Sequence, residues 1–318
     1  MKVVVIGAGA IGSWLAGLLF DAGWDVSLLA RGQTLTNIRG NGLRVRRGGK
    51  EQVYRLNASD DAAMLGKPDY VIVAVKGQNI PALAPAIQIL MKGGAAIVPA
   101  VNGIPWWFFQ LPGVLLQGTV LKSVDPGGVL SNAIDPSRII GCVVHASSWT
   151  PQPGLAEING EDKLLFGEPD GANRERTQAL AEAFSNSSVK PMVSPNIRLD
   201  IWTKLWGNMT MNPLSALTGA TTGRMLDDAD VRALVRAMML EMQHIGGRIG
   251  LPLAMTPEDR MAITRKLGDF KTSMLRDAEA GREIESAPIL GTLVEIAERL
   301  GEPAPFIRAI NGLLRVRV

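Results

Sequence analysis

Val3-Val4-Val5-Ile6-Gly7-Ala8-Gly9-Ala10-Ile11-Gly12, followed by Ser13-Trp14-Leu15-Ala16-Gly17-Leu18-Leu19-Phe20, reads as an apolar strand, a glycine turn and a helix. In that setting Gly-x-Gly-x-x-Gly is the phosphate cradle of a dinucleotide-binding unit. Gly7 permits a tight turn, Gly9 has no side chain to block a pyrophosphate, and Gly12 lets the helix pack closely on the strand. The first turn of the helix then offers free N–H groups and the positive end of its dipole to the phosphates. The competing reading is a glycine-rich turn with no ligand. The flanking strand and helix favour the cradle.

The unit continues through Asp21-Ala22-Gly23, where the glycine ends the helix, into a second strand at Asp25-Val26-Ser27-Leu28-Leu29. An NAD site places a carboxylate at the end of this strand to hold the ribose 2′-hydroxyl. Here the strand runs out in Ala30-Arg31-Gly32-Gln33. Arg31 offers a planar, permanently charged fork to a 2′-phosphate, so NADPH is the expected cofactor. Asp25 stands at the wrong end of the strand to favour NADH. The plain alternative for Arg31 is a solvated surface arginine.

A chain of 318 residues has room for about two domains, each with its own core. With 47% hydrophobic and 20% charged residues, the composition is that of a soluble globular protein. The net charge of +3 is scattered. Its densest basic group, Arg44, Arg46, Arg47 and Lys50, falls in a glycine-bounded hairpin and reads as a solvated face. No aromatic platform accompanies it, so nucleic acid is not an expected partner. Cys142 is the single cysteine, which rules out an internal disulfide and a thiolate metal cluster. That usage fits a cytoplasmic setting. Residues 3–20 resemble an export signal only superficially, because their glycines fall on the fingerprint and only Lys2 supplies positive charge. No apolar run reaches the roughly 18 residues of a membrane helix, so no membrane association is expected.

The first two-thirds of the chain alternates short apolar runs with amphipathic segments, the pattern of a doubly wound, mostly parallel sheet. Strands are expected at Tyr70 to Val75, Ala95 to Pro99, Val114 to Leu116, Arg138 to His145 and Leu164 to Phe166. Leu121 to Ser137 reads as a loop or small insertion. After Ser194-Pro195-Asn196 only helical periodicity remains. Asp228 to Gly250 is a long helix, Thr256-Pro257-Glu258-Asp259 opens another with an N-cap, and Ser286 and Gly301 bound a third. Met238, Met239 and Met242 are expected core fillers, and Cys142 a small buried hydrophobe. His145 and His244 stand alone and carry no expected catalytic role. These signals predict an α/β domain over 1–195 and an all-α domain over 196–318.

Ligands of open α/β sheets gather beyond the carboxyl ends of the strands. Arg31, Lys76 and Asn102-Gly103 each follow a strand there. In the second domain, Lys204, Asn208 and Asn212 recur at i, i+4 and i+8 and share one helix face. Their surroundings, Ile197, Leu199, Ile201, Trp202, Leu205, Trp206 and Met209, are apolar. Such a polar ladder either binds a ligand or makes helix–helix hydrogen bonds.

With GAGAIG at Gly7 to Gly12, Lys76, Asn102-Gly103, Trp202-Thr203-Lys204-Leu205, Asn208, Asn212-Pro213-Leu214, Ser273 and Arg282-Glu283-Ile284, the chain resembles the ketopantoate reductases (2-dehydropantoate 2-reductases). The resemblance spans nearly the whole chain, and W-x-K-L-x-x-N-x-x-x-N-P is far more specific than the glycine motif. It implies NADPH-dependent reduction of a 2-oxo acid, ketopantoate to pantoate in pantothenate biosynthesis, by a Rossmann domain and a helical domain with a cleft between them. By motif position Lys204 is the implied catalytic lysine and Glu283 its partner on the substrate hydroxyl. Asn208, Asn212 and Ser273 are implied to hold substrate carboxylate and hydroxyl groups. Asn102 and Lys76 are implied to bridge cofactor and substrate, with Ala8, Ala10 and Ile11 completing the nucleotide turn. No metal is implied, and monomer or homodimer is left open. The family commonly continues I-D-Y-x-N-G after the glutamate, whereas here Ile284 is followed by Glu285-Ser286-Ala287-Pro288. That departure keeps open a reductase of another 2-oxo acid, or an NADPH-binding protein without catalysis.

Overall fold

Val3-Val4-Val5-Ile6 and Tyr70-Val71-Ile72-Val73 are apolar at every position, a pattern suited to strands covered on both faces. In the computed structural model, which describes residues 1–317, both are strands with every one of these residues buried. Two compact units form: Met1–Val101 with Val129–Asp200, and Asn102–Gly128 with the chain from Ile201 onward.

The first unit runs β1 (Lys2–Ile6), α1 (Ala10–Asp21), β2 (Asp25–Leu29), α2 (Gly32–Asn41), β3 (Leu43–Arg47), β4 (Lys50–Tyr54), β5 (Asn57–Ser59), β6 (Tyr70–Val73), α3 (Ala84–Met91) and β7 (Ala96–Pro99). It resumes with α4 (Val129–Ala133), β8 (Gly141–Gln152), β9 (Leu155–Gly167), α5 (Glu175–Glu182) and β10 (Lys190–Val193). One sheet is wholly parallel in the order β5-β2-β1-β6-β7, with Val4 of β1 opposite Ser27 and Val71. β1 is thus central, and the turns after β2, β1 and β6 share one edge, as the expected doubly wound fold requires.

A second sheet has the order β10-β9-β3-β4, with β8 antiparallel to β9. The basic hairpin β3–β4 belongs to it, through parallel pairing of Arg44 with Leu155. Helix α1 touches strands of both sheets, and Gly12 to Leu19 are all buried. Burial on both sides accounts for a helix that is apolar almost all round. Its one polar aromatic atom, Trp14 Nε1, donates to Glu161 Oε2 at 2.8 Å. Gly17 leaves room for the Tyr54 ring, which a Cβ would approach within 2.8 Å.

Helix α6 (Ile197–Thr218) begins in the first unit and enters the second at Ile201. It is followed by α7 (Thr222–Asp227), α8 (Ala229–Arg248), α9 (Pro257–Lys266), α10 (Ser273–Glu279), α11 (Thr292–Leu300) and α12 (Pro305–Val316). Asp228 caps α8 by accepting from the N–H groups of Asp230 and Val231 at 3.0 and 2.9 Å. Thr256 and Asp259 form a reciprocal capping box on α9. Gly301, at φ +67°, ends α11. Met238, Met239 and Met242 are fully buried, as is Cys142 to within 3%.

Three local expectations are corrected. Val114 to Leu116 is not a strand but a series of turns, with Leu115 51% exposed and Leu116 in the left-handed region at φ +64°. Ser286 does not cap a helix. Its backbone is already helical, and Ala287–Gly291 forms a π-helical turn that leads into α11. Residues 102–128 lie within the expected first domain, yet they belong to the second compact unit. The reason is apolar: Trp106, Trp107, Phe108 and Phe109 are all buried. Phe108 stacks on Trp202 with ring centroids 6.3 Å apart. Burying Phe108 and Phe109 contributes about 1.5–3 kcal/mol each. No helix among the described residues is long and apolar enough to cross a membrane.

Candidate active site

In the first unit the glycine turn joins β1 to α1. Gly7 takes φ +98°, and a Cβ there would lie 2.6 Å from Val75 Cγ1 and 2.7 Å from the Ala74 carbonyl oxygen. A Cβ at Gly12 would overlap the Gly7 carbonyl oxygen and stand 3.1 Å from Ala74 Cβ. These two glycines therefore serve close packing. Gly9 differs: it is exposed, and a Cβ there would meet nothing within 4 Å. It borders open space, which leaves room for a ligand to approach the backbone. Gly9 is also the N-cap of α1, with no side-chain capping bond and no acidic residue in the first turn. The free N–H groups and positive dipole end of α1 thus fit a dinucleotide pyrophosphate.

Two cationic groups flank this turn on the same sheet edge. Arg31 follows β2, is exposed, and occupies the N-cap position of α2. Lys76 follows β6 and is half-buried at the start of the short 3₁₀ turn Gly77–Asn79. Ala8 is buried, while Ala10 and Ile11 are partly so. A separate cavity of about 260 Å³ is lined by Asn37, Arg44 and Gln152 among others. It lies away from the turn, and its Arg44 is paired with Glu51.

The second unit gathers the remaining candidates. Lys204 Nζ donates to Asn102 Oδ1 at 2.8 Å, joining residues 102 positions apart. Asn102 thus sits with the helical unit, not with the sheet whose strand precedes it. Its neighbour Gly103, at φ +81°, lies against the π-helical turn. A Cβ at Gly103 would come within 2.5 Å of the Pro288 carbonyl carbon. The Pro288 carbonyl accepts from the Ile104 N–H and from Thr292 Oγ1, both at 2.9 Å. The segment that departs from the family pattern is therefore bonded to the loop that carries Asn102.

Along α6, Lys204 and Asn208 are half-buried and Asn212 is 7% exposed. Pro213 follows inside the helix, where it cannot donate to the Met209 carbonyl. Trp206 anchors the opposite side through Nε1 to the Met239 carbonyl at 2.9 Å. Ser273 is the exposed first residue of α10, whose N-cap Thr272 accepts from the Leu275 N–H at 3.1 Å. Glu283 is exposed just past α10. The turn before it is fixed by Arg282, whose Nε donates to Asp277 Oδ1 at 2.8 Å.

The sequence reading did not single out Arg260 of α9. Its guanidinium lies against Gly207 of α6, one turn beyond Lys204. The available signal was Gly207 itself, a glycine inside a helix with large neighbours on both sides, which marks a close approach. Burial lowers the Arg260 pKa from its ordinary value.

Residues 3–106 match the family model for ketopantoate reductase PanE/ApbA, and residues 196–318 match its C-terminal counterpart. A 2-dehydropantoate 2-reductase from Mesorhizobium japonicum is 39% identical over 316 residues, covering 99% of this chain and 97% of that protein. A crystal structure of a Ralstonia solanacearum protein assigned to the ketopantoate reductases superposes with a TM-score of 0.95 at 42% identity, covering 99% of this chain and 97% of that one. A D-mandelate dehydrogenase solved with NADH, at 19% identity and a TM-score of 0.83, is alike in fold, with 99% and 97% of the two chains covered. With both family models matched in order and a relative of this identity along its length, the chain belongs to the ketopantoate reductase family of pyridine-nucleotide-dependent oxidoreductases.

Proposed function

We propose that the protein reduces 2-dehydropantoate to pantoate, a step of pantothenate biosynthesis, with NADPH as reductant. The observation that carries this reading is the 2.8 Å bond from Lys204 Nζ to Asn102 Oδ1. It joins, inside one unit, two of the residues whose motif positions imply chemistry. The Mesorhizobium japonicum relative supports the choice of substrate.

Gly7 to Gly12 and the first turn of α1 would hold the pyrophosphate, Arg31 the 2′-phosphate, and Lys76 would add positive charge on the same edge. When bound, the reduced nicotinamide supplies a hydride to C2 of the oxo acid. Lys204, as an ammonium, polarises the ketone and donates a proton to its oxygen as that hydride arrives. The carbonyl becomes a hydroxyl, and the amine left on Lys204 is reprotonated from solvent. Asn102 orients the ammonium. Asn208, Asn212, Ser273 and Glu283 are assigned to substrate carboxylate and hydroxyl groups, with Glu283 on the hydroxyl.

A second reading is reduction of a different 2-oxo acid, favoured by the bonding of Pro288 to the Asn102 loop. The experiment for both is loss of NADPH absorbance with ketopantoate beside 2-oxoisovalerate, pyruvate and oxaloacetate. Selective turnover of ketopantoate upholds the first reading, and a higher kcat/KM for another acid upholds the second. Lys204→Met should lower kcat by about 10²–10⁴-fold, the range of a lost general acid, with NADPH affinity unchanged. Turnover at the wild-type rate in that variant would remove Lys204 from the mechanism.

A further inference from the structure

Arg260 stands out among the cations of the second unit. Its Nη1 donates to Thr264 Oγ1 at 3.1 Å. Among the described residues no carboxylate forms an ion pair with it, and burial lowers its pKa from the ordinary value. A mostly buried guanidinium without a counter-ion is uncommon, because the charge loses water without gaining a partner.

Its position is specific. Gly207 has no side chain, and the Arg260 guanidinium occupies that vacancy. A Cβ on Gly207 would overlap Nη2 and lie 2.5 Å from Cζ and 2.9 Å from Nε. Gly207, itself buried, is the i+3 neighbour of Lys204 and precedes Asn208, both of which are partly exposed on α6. Three residues of helix rise span about 4.5 Å. Arginine from α9 thus stands where a side chain of α6 would stand, one step along from the proposed acid. Its planar fork is matched to a carboxylate.

We propose that Arg260 is a substrate-binding residue that holds a carboxylate of the 2-oxo acid. This rests on the reductase reading of Lys204. The carboxylate is either the one at C1 or the distal group of a dicarboxylic oxo acid. Both present the same two oxygens to the fork.

The test compares wild type with Arg260→Gln, Arg260→Lys and Gly207→Ala. Gly207→Ala retains the charge but displaces the guanidinium. Thermal melting first establishes that each variant is folded. Arg260→Gln should raise KM for the preferred oxo acid about 10- to 100-fold, the worth of one bond to a charged group, with kcat changed far less. Arg260→Lys should recover part of the loss, and Gly207→Ala should raise the same KM. If the C1 carboxylate is held, 2-oxoisovalerate and ketopantoate suffer alike. If the distal one is held, the loss is confined to oxaloacetate and 2-oxoglutarate. KM within twofold of wild type in folded Arg260→Gln for every one of these acids, mono- and dicarboxylic alike, overturns the proposal, as does a fall in kcat alone. If the wild type reduces no oxo acid, the reductase reading falls separately. Calorimetric titration with pantoate and with 2-oxoglutarate then decides the carboxylate site: tighter binding to wild type than to Arg260→Gln upholds it, and equal binding overturns it.

Discussion

Gly9→Ala separates ligand space from packing space in the glycine turn. Gly9 has φ −76° and ψ −172°, a conformation alanine adopts freely. Its new methyl group would meet no protein atom within 4 Å. Alanine restricts the unfolded chain, which stabilises by about 0.4–1 kcal/mol. It is a poorer N-cap than glycine, which costs about 0.5 kcal/mol. These nearly cancel, so Tm should stay within about 4 °C of wild type. On the proposed cofactor assignment the methyl group nevertheless stands where the pyrophosphate would approach α1. Loss of one charge-assisted N–H bond weakens NADPH binding about 10- to 100-fold. Gly12→Ala should behave differently. Its methyl group would overlap the Gly7 carbonyl oxygen, so α1 must shift, and overpacking of this kind costs about 1–3 kcal/mol. That variant should lose both stability and affinity. Scanning fluorimetry and quenching of protein fluorescence by NADPH measure the two quantities. Wild-type NADPH affinity in Gly9→Ala would refute the assignment of that space to phosphate.

Arg31→Ala should narrow the preference for NADPH over NADH by about tenfold or more, and an unchanged kcat/KM ratio for the two cofactors would remove Arg31 from the 2′-phosphate. Glu295 accepts from the N–H groups of Lys122 and Ser123 at 2.9 and 3.1 Å, and from Ser123 Oγ at 3.1 Å. Burial pushes its pKa up, but these donors and Arg299 outweigh it and hold the carboxyl below its ordinary value. Glu295→Gln leaves one set of donors facing an NH₂ group and should cost about 1–3 kcal/mol in denaturant melts. Asp170 is held at about 2, chiefly by the hydrogen bond from Arg174. A lowered folded value adds stability that is complete above the ordinary 3.8 and vanishes as pH falls towards 2. The exposed pair is worth under about 1 kcal/mol, so melts of Asp170→Asn should trail wild type slightly at pH 5 and converge with it in that acid window.

Much of the fold was legible because its signals are local. The alternation of strand and helix around Gly7, the caps at Asp228 and Thr256, and the stop at Gly301 each lie within a few residues of the structure they specify. The second sheet was not legible as a sheet. Arg44 pairs with Leu155 across more than a hundred residues, and periodicity holds no information about such a partner. Val114-Leu115-Leu116 looked like a strand because three apolar residues in a row are ambiguous without their surroundings. The ladder of Lys204, Asn208 and Asn212 was readable from spacing alone. That Asn102 meets Lys204 was not, since the loop's allegiance is set by the burial of Trp106 to Phe109.

Gly103 and Pro288 occupy one shared volume, and this bears on how the two stretches can vary. A larger residue at 103 is refused while the Pro288 carbonyl stays where it is, and moving that carbonyl also releases the Ile104 N–H and Thr292. A larger residue at position 103 therefore requires a compensating shift of the Pro288 backbone. Libraries that randomise Gly103 alone should yield mostly inactive clones, and randomising it together with Ser286 to Pro288 should recover more of them.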